Sequence, residues 1–244
     1  YTYDEVGNLI CKNTDGEKTE YAVNELDQVT SVTKGSVLLA RYTYDFSGNR
    51  ATKYSYGSTT NYTYDGQNNL TSSRGITYTY DAQGVRLTKY SDATYKYYFD
   101  GVNLLFTKKN NAYYNQYLYD GDSVYCGINA NDAAYWYHTD VRNSVTNVLK
   151  GDATTSSSPY LVRSFTYNAY GDTDRQGGIY AEPDVDDIAY TGACYDKETE
   201  LYYLMSRYYD PMIAQFISED SYRGDGEHFW NLYMYCEGDP VNYT

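Results

Sequence analysis

Tyr42-Thr43-Tyr44-Asp45-Phe46-Ser47-Gly48-Asn49 is the stretch on which the fold turns. Aromatic rings two positions apart leave the same face of a strand, and aromatic and β-branched side chains suit a pleated surface, so Tyr-Thr-Tyr reads as strand. The Asp that follows bonds to backbone a few residues on, and Gly48 supplies the positive φ at which the chain reverses. Those eight residues predict a strand running into a glycine-bearing hairpin loop. Near copies stand at Tyr1-Thr2-Tyr3-Asp4, Tyr62-Thr63-Tyr64-Asp65, Tyr78-Thr79-Tyr80-Asp81 and Tyr117-Leu118-Tyr119-Asp120, with degenerate ones at Tyr21-Ala22-Val23-Asn24, Tyr97-Tyr98-Phe99-Asp100, Trp136-Tyr137-His138 and Phe165-Thr166-Tyr167-Asn168. The Asp or its stand-in falls at 4, 24, 45, 65, 81, 100, 120 and 138, a period near twenty that marks a repeat array. Return strands such as Leu9-Ile10 and Arg86-Leu87-Thr88-Lys89-Tyr90 alternate polar residues, as expected of a sheet with two unlike faces. One hairpin cannot bury its own face, so the units are expected to lean on their neighbours in an all-β, curling sheet.

The composition agrees. Of 244 residues, 36 are Tyr, 6 Phe and 2 Trp, so tyrosine must fill the interior. The net charge of -14 argues against a nucleic-acid partner, because phosphate backbones are held by clustered cations. Val37-Leu38-Leu39-Ala40 is the longest aliphatic run, far below the roughly 20 residues of a membrane helix. A chain starting at Tyr1 is expected to be an excerpt of a longer protein, with any export signal upstream. Cys11, Cys126, Cys194 and Cys236 lie far apart, which favours free thiols and leaves long-range disulfides open. No phosphate loop, dinucleotide fingerprint, Gly-x-Ser-x-Gly or His-Glu-x-x-His occurs, so no cofactor or metal is assigned. His138 reads as a hydrogen-bonded sheet residue, and the acidic stretches Asp172-Thr173-Asp174 and Glu182-Pro183-Asp184-Val185-Asp186-Asp187 as solvated loop rather than calcium site.

The tandem Tyr-Asp hairpins resemble the YD repeats of RHS (rearrangement hotspot) proteins. Toward the C-terminus, Tyr190-Thr191-Gly192, Tyr195-Asp196-Lys197-Glu198-Thr199, Leu201-Tyr202-Tyr203-Leu204, Arg207-Tyr208-Tyr209-Asp210-Pro211, Phe216-Ile217-Ser218-Glu219-Asp220 and Asn231-Leu232-Tyr233-Met234-Tyr235 resemble, in order, the RHS core-associated domain. The resemblance implies a YD-repeat sheet over 1–148 and a core-associated end cap over 165–244, and the low-complexity run from Gly151 to Pro159 reads as a flexible connection, 149–164, between them. It further implies a hollow β-shell closed by the end cap around a C-terminal cargo, often a toxin, that the parent severs by aspartyl-type self-cleavage. Arg207 and Asp220 match the family's spacing for that chemistry, and the second carboxylate is expected just past residue 244. Two carboxylates sharing a proton can activate water and protonate the scissile group. Ser221 and Ala214-Gln215 depart from the family pattern, and the chain as it stands is expected not to be an enzyme.

Two function classes follow. One is a structural, encapsulating segment of a secreted or cell-surface RHS-type toxin or wall-associated protein, partnered by upstream YD repeats and a C-terminal toxin domain of the same parent. The other is a cell-surface adhesion or carbohydrate-binding module that stacks exposed Tyr faces on glycans. Open sheet edges add an expectation of self-association.

Overall fold

The structure, a computed structural model, describes residues 1–151, 159–177, 187–223 and 231–243. It is all-β apart from two single 3-10 turns and divides into two compact units, 1–75 with 207–244, and 76–206. In the first unit, β1 to β8 (Thr2–Tyr3, Leu9–Thr14, Glu17–Val23, Val29–Lys34, Val37–Tyr44, Arg50–Ser55, Ser58–Tyr64, Leu70–Ser73) form an antiparallel meander in which each strand pairs with the next. In the second, β9 to β18 (Ile76–Tyr80, Arg86–Tyr90, Thr94–Asp100, Asn103–Lys109, Ala112–Asp120, Ser123–Asn129, Ala134–Thr139, Val145–Gly151, Tyr160–Tyr167, Thr173–Gly177) do the same. Two short strands, β19 (Cys194–Asp196) and β20 (Leu201–Leu204), pair within the second unit, and β21 (Arg207–Asp210) and β22 (Gln215–Phe216) within the first.

The eight-residue signature folds as read. Tyr42 is buried and Thr43 exposed, while Tyr44, on the side of Tyr42, donates its hydroxyl to the Val29 carbonyl at 2.9 Å. Asp45 Oδ1 accepts the amides of Ser47 and Asn49, both at 2.9 Å, and Gly48 takes φ +77°. The same two side-chain bonds recur from Asp4, Asn24, Asp65, Asp81, Asn129, Asp140 and Asn168. Each is a five-residue loop whose fourth residue has positive φ. Neighbouring loops are linked, Asn8 Nδ2 to Asp27 Oδ1 at 2.8 Å and Asn49 Nδ2 to Asn68 Oδ1 at 2.9 Å. On the outer face, threonine hydroxyls pair across strands, Thr43 with Thr52 and Thr79 with Thr88, both at 2.7 Å.

Each twenty-residue period contains a second reversal at the opposite end of the strands, commonly a two-residue turn such as Asp15-Gly16, Tyr56-Gly57 or Arg74-Gly75 with both φ positive. Asp100 and Asp120 depart from the five-residue loop. There the chain reverses over two residues, Gly101-Val102 and Gly121-Asp122, and pairs Asp100 with Asn103 and Asp120 with Ser123, whereas Asp65, also followed directly by a glycine, keeps the five-residue loop. The return strands also correct the expected polarity. In β10, Arg86 and Lys89 are buried while Leu87 and Tyr90 face solvent, because a bulge at Arg86-Leu87 re-aims the alternation.

The compact units cut the chain differently from the division expected from sequence, since 207–244 associates with the first repeats and 187–206 with the later ones. Leu149–Gly151 and Tyr160–Ser164, at the two ends of the anticipated connection, are strand, and Lys150 pairs with Tyr160. Its middle, 152–158, lies outside the described residues, as do the acidic residues 182–186 and His228. All four cysteines are free thiols. No helix among the described residues is long and apolar enough to cross a membrane, which says nothing of strands.

Candidate functional site

After the five-residue loops 4–8, 24–28, 45–49, 65–69, 81–85 and 140–144, though not after 129–133 or 168–172, the chain makes a β-bulge: Arg50 pairs with Tyr44 but Thr52 with Thr43, leaving Ala51 as the extra residue. The same two-against-one step follows at Val29, Arg86 and Val145. A bulge leaves an amide outside the ladder, and a buried amide needs an acceptor. The C-terminal segment supplies it. Arg50 N–H donates to the Ile217 carbonyl at 2.8 Å and Val29 N–H to Gln215 Oε1 at 3.3 Å in the first unit. In the second, Arg86 N–H donates to the Tyr203 hydroxyl at 2.8 Å and Val145 N–H to the Ala189 carbonyl at 3.0 Å.

The side chain at this bulge position is an aliphatic plug in most repeats (Leu9, Val29, Leu70, Val145), and three residues on it is often another, as at Val32 and Val148. Two hairpins instead carry Arg and Lys there, Arg50 with Lys53 and Arg86 with Lys89. Arg50 is fully buried, its guanidinium 4.5 Å from the Tyr42 ring centre, and its Nη1 bonds Asp210 Oδ2 at 2.6 Å; Lys53 Nζ reaches the same oxygen at 3.6 Å. Arg86 is equally buried, 4.1 Å from the Tyr97 ring centre and 4.5 Å from that of Tyr203, and its Nη1 bonds Asp196 Oδ2 at 2.7 Å. Lys89 Nζ bridges Asp196 Oδ1 at 3.3 Å and Glu198 Oε2 at 3.1 Å. Burial alone would raise both aspartates, but their cationic partners hold them below the usual carboxylate range. Burial likewise opposes the Lys89 charge and is outweighed by Asp196, so its ammonium titrates above its ordinary value.

Each unit thus has one cradle in which a repeat's Arg-x-x-Lys grips a Tyr-Asp of the C-terminal segment. Three loop glycines complete the fit. A Cβ on Gly7 would meet Met234 at 2.7 Å and one on Gly171 the Tyr190 ring at 2.5 Å, while at Gly48 it would collide with the Glu219 side chain. In other loops Asp27, Asn68, Asp132 and Asn143 hold the same positive φ. Tyr233 donates to the Gly48 carbonyl at 2.6 Å and receives Gln28 Nε2 at 2.7 Å; Tyr202 and Tyr190 donate to the carbonyls of Gly171 and Ala169 at 3.0 and 2.6 Å.

Arg207 and Asp220, singled out by the family resemblance, do meet. Arg207 Nη2 bonds Asp220 Oδ2 at 2.6 Å, Nη1 bonds the Leu232 carbonyl at 2.9 Å, and the guanidinium lies 3.6 Å from the Phe216 ring centre. Tyr222 N–H donates to Asp220 Oδ1 at 2.9 Å. Burial lowers the Arg207 guanidinium from its ordinary value, with Asp220 opposing. The pair is half-buried, unlike the two cradles. His138 sits on β15 with its side chain exposed, and Asp187 accepts the Tyr117 hydroxyl at 2.7 Å and Asn115 Nδ2 at 3.1 Å. Among the described residues no group of three His, Cys, Asp or Glu side chains gathers to hold a metal ion. The sequence reading missed both cradles; the signal was the recurrence of Arg-x-x-Lys eight residues after a Tyr-Thr-Tyr-Asp start, at Tyr42/Arg50 and Tyr78/Arg86.

No family model matches the chain. It is 31% identical over 98% of its length to a tRNA3(Ser)-specific nuclease WapA of Bacillus spizizenii and 30% identical over the same share to a tRNA nuclease WapA of Bacillus subtilis strain 168. The chain spans only 9% of the length of each. Among solved structures it is similar to a chain of the Photorhabdus luminescens Tc holotoxin pore, with TM-score 0.55 and 18% identity over 100% of this chain and 16% of that one. A chain of a TcdB2-TccC3 crystal structure gives TM-score 0.55 and 19% identity over 99% of this chain and 17% of that one. The solved structures share the fold of this chain, and the sequence relatives match it along nearly its whole length.

Proposed function

We propose that this chain is a wall-and-end segment of a secreted or cell-surface RHS-type protein, in which Tyr-rich repeats form part of a shell and the core-associated residues 165–244 close it around a C-terminal cargo. The observation that carries this is the pair of buried cradles. Arg50–Asp210 and Arg86–Asp196 fasten the C-terminal segment to the tyrosine face at depths where a broken ion pair is strongly penalised, which suits a lid that must hold a load. Limited proteolysis of the full-length parent tests it. The cargo beyond residue 244 should resist digestion in the wild type and become sensitive in an Asp196→Asn, Asp210→Asn double variant. A cargo digested equally fast in both sinks the proposal.

In this reading the chain by itself cleaves nothing, and Arg207 and Asp220 are two of the groups of a self-cleavage completed by a second carboxylate of the parent. Mass spectrometry of a version extended past residue 244, with and without Asp220→Asn, checks the assignment; cleavage unchanged in the variant removes Asp220 from the chemistry.

A second reading, adhesion to glycans, is favoured by one feature. On the face of β11 to β13 opposite buried Tyr97, the Tyr98 and Phe106 rings stack at 4.2 Å, with Tyr113 5.6 Å from Phe106 and Lys108 Nζ 4.8 Å above the Tyr113 ring. Glycan-array binding lost on joint Tyr98→Ala and Tyr113→Ala substitution would support it, and a silent array would remove it.

A further inference from the structure

On the outer face of the second unit, strand register lines side chains into rows that cross the strands. Thr79, Thr88, Lys96, Lys108 and Tyr113 share one row. Tyr98, Phe106, Gln116 and Ile128 share the next, two residues or about 7 Å along the strands. Neither row contains an Asp or Glu, in a chain with 33 acidic residues against 19 Lys and Arg. Lys96 and Lys108 stand directly opposite each other across β11 and β12, a placement that costs stability because like charges repel there. Four other strand lysines are each bonded to a carboxylate: Lys34 to Glu17, Lys53 to Asp210, Lys89 to Asp196 and Glu198, and Lys109 to Asp92. Among the described residues no carboxylate stands at ion-pair distance from Lys96 or Lys108. Beside the two lysines lie aromatic faces open to solvent, Tyr98 at 37% and Tyr113 at 65%, and Lys108 Nζ sits 5.5 Å from the first ring centre and 4.8 Å from the second.

We propose that this face binds a carbohydrate whose sugar rings carry carboxylates, a uronic-acid chain. The proposal rests on the glycan reading above and adds the class of glycan. The C–H face of a sugar meets the electron-rich face of Tyr98 or Tyr113, while the tyrosine hydroxyls stay wet. The carboxylate of that sugar or its neighbour takes the Lys96 and Lys108 ammoniums, which relieves the repulsion the free protein bears. Other anionic partners fit worse. Two ammoniums are too few to hold a phosphate backbone against a chain of net charge -14. Attraction to anionic lipid grows with the number of cations at the surface, and two supply little of it.

Calorimetric titration of the whole chain with oligogalacturonate, set against the same oligosaccharide with its carboxyls methyl-esterified, decides. The acid form should bind about tenfold more tightly than the ester, the worth of two exposed charge contacts, and lose that advantage as salt is raised. Lys96→Gln with Lys108→Gln should bring the acid form down to the ester and melt no lower than the wild type, because it removes a repulsion. Tyr98→Ala with Tyr113→Ala should weaken both forms, and far-UV circular dichroism verifies the fold of each variant. Equal binding of acid and ester overturns the acidic preference and leaves the glycan reading standing. Neither form bound overturns it too, and a silent glycan array then removes the glycan reading with it. Lysine-dependent binding of oligothymidylate or of phosphatidylserine vesicles, with none of the uronate, overturns the proposal in favour of those partners.

Discussion

Raising the pH attacks this interior at its commonest side chain. Burial pushes the Tyr44 and Tyr203 hydroxyls up to about 12, and Tyr42, Tyr64, Tyr78, Tyr97, Tyr117, Tyr119 and Tyr233 are likewise raised. An acid with a raised folded pKa keeps its proton in the native state and loses it in the unfolded one, so stability falls as pH climbs past the unfolded value near 10. At pH 11 an unfolded tyrosine gains about 1.4 kcal/mol by ionising, which the folded groups forgo, and nine such groups give up to about 12 kcal/mol. That equals the whole stability of an ordinary domain, about 5–15 kcal/mol. Tyrosinate absorbance and far-UV circular dichroism, followed together, should therefore show a late and steep titration coincident with loss of strand signal between about pH 10 and 11.5. Gradual ionisation of all 36 tyrosines near pH 10 with the strand signal intact would refute the claim that these rings form a dry core.

Arg50→Met leaves Asp210 buried with only Lys53 and should lower stability by about 3–5 kcal/mol in urea melts, most of it recovered only when Asp210→Leu and Lys53→Met are added together, since Asp210→Leu alone would strand the buried Lys53 ammonium. Asp220→Asn, at a half-exposed pair, should change the same melts by no more than about 1 kcal/mol. On the acid side the signs reverse. Asp196 and Asp210 titrate low, so their contribution is complete above about pH 4 and drains as pH falls through their depressed folded values; a fluorescence-monitored acid titration should place unfolding there. Gly48→Ala and Gly57→Ala both place a Cβ at positive φ, near +77° and +79°, but only the first collides with Glu219; thermal melts should show the Gly48 variant the more destabilised, by at least about 1 kcal/mol.

The fold was legible because its signals are local. Tyr-Thr-Tyr sets the face and Asp-x-x-Gly sets the loop, and both depend on residues within eight positions of each other. Asp100 and Asp120 misled because an Asp followed directly by glycine can open either reversal: Asp65-Gly66 makes the five-residue loop, Asp100-Gly101 and Asp120-Gly121 the two-residue turn. The burial of Arg86 and Lys89 was hidden for a different reason. A bulge shifts the strand's alternation, and the carboxylates that make an interior cation tolerable arrive from Asp196 and Glu198, over a hundred residues later. Arg207 and Asp220 lie only thirteen positions apart on one folded-back segment, and it was the resemblance to the family, not the spacing by itself, that pointed to their pairing. The grouping of 207–244 with the first repeats was not, because it rests on long-range bonds such as Gln28 to Tyr233.

The links from Asn8 to Asp27 and from Asn49 to Asn68 constrain how such a protein can change length. Both cross nineteen positions and join loops on the same border. A duplication that inserts two strands presents the asparagine with a fresh loop of the right kind and leaves every later strand pointing as before. Inserting one strand sends the remaining chain the wrong way and puts a tight turn where a loop acceptor is required. Genetic gain or loss in steps of about twenty codons is thus the change this architecture absorbs with least damage.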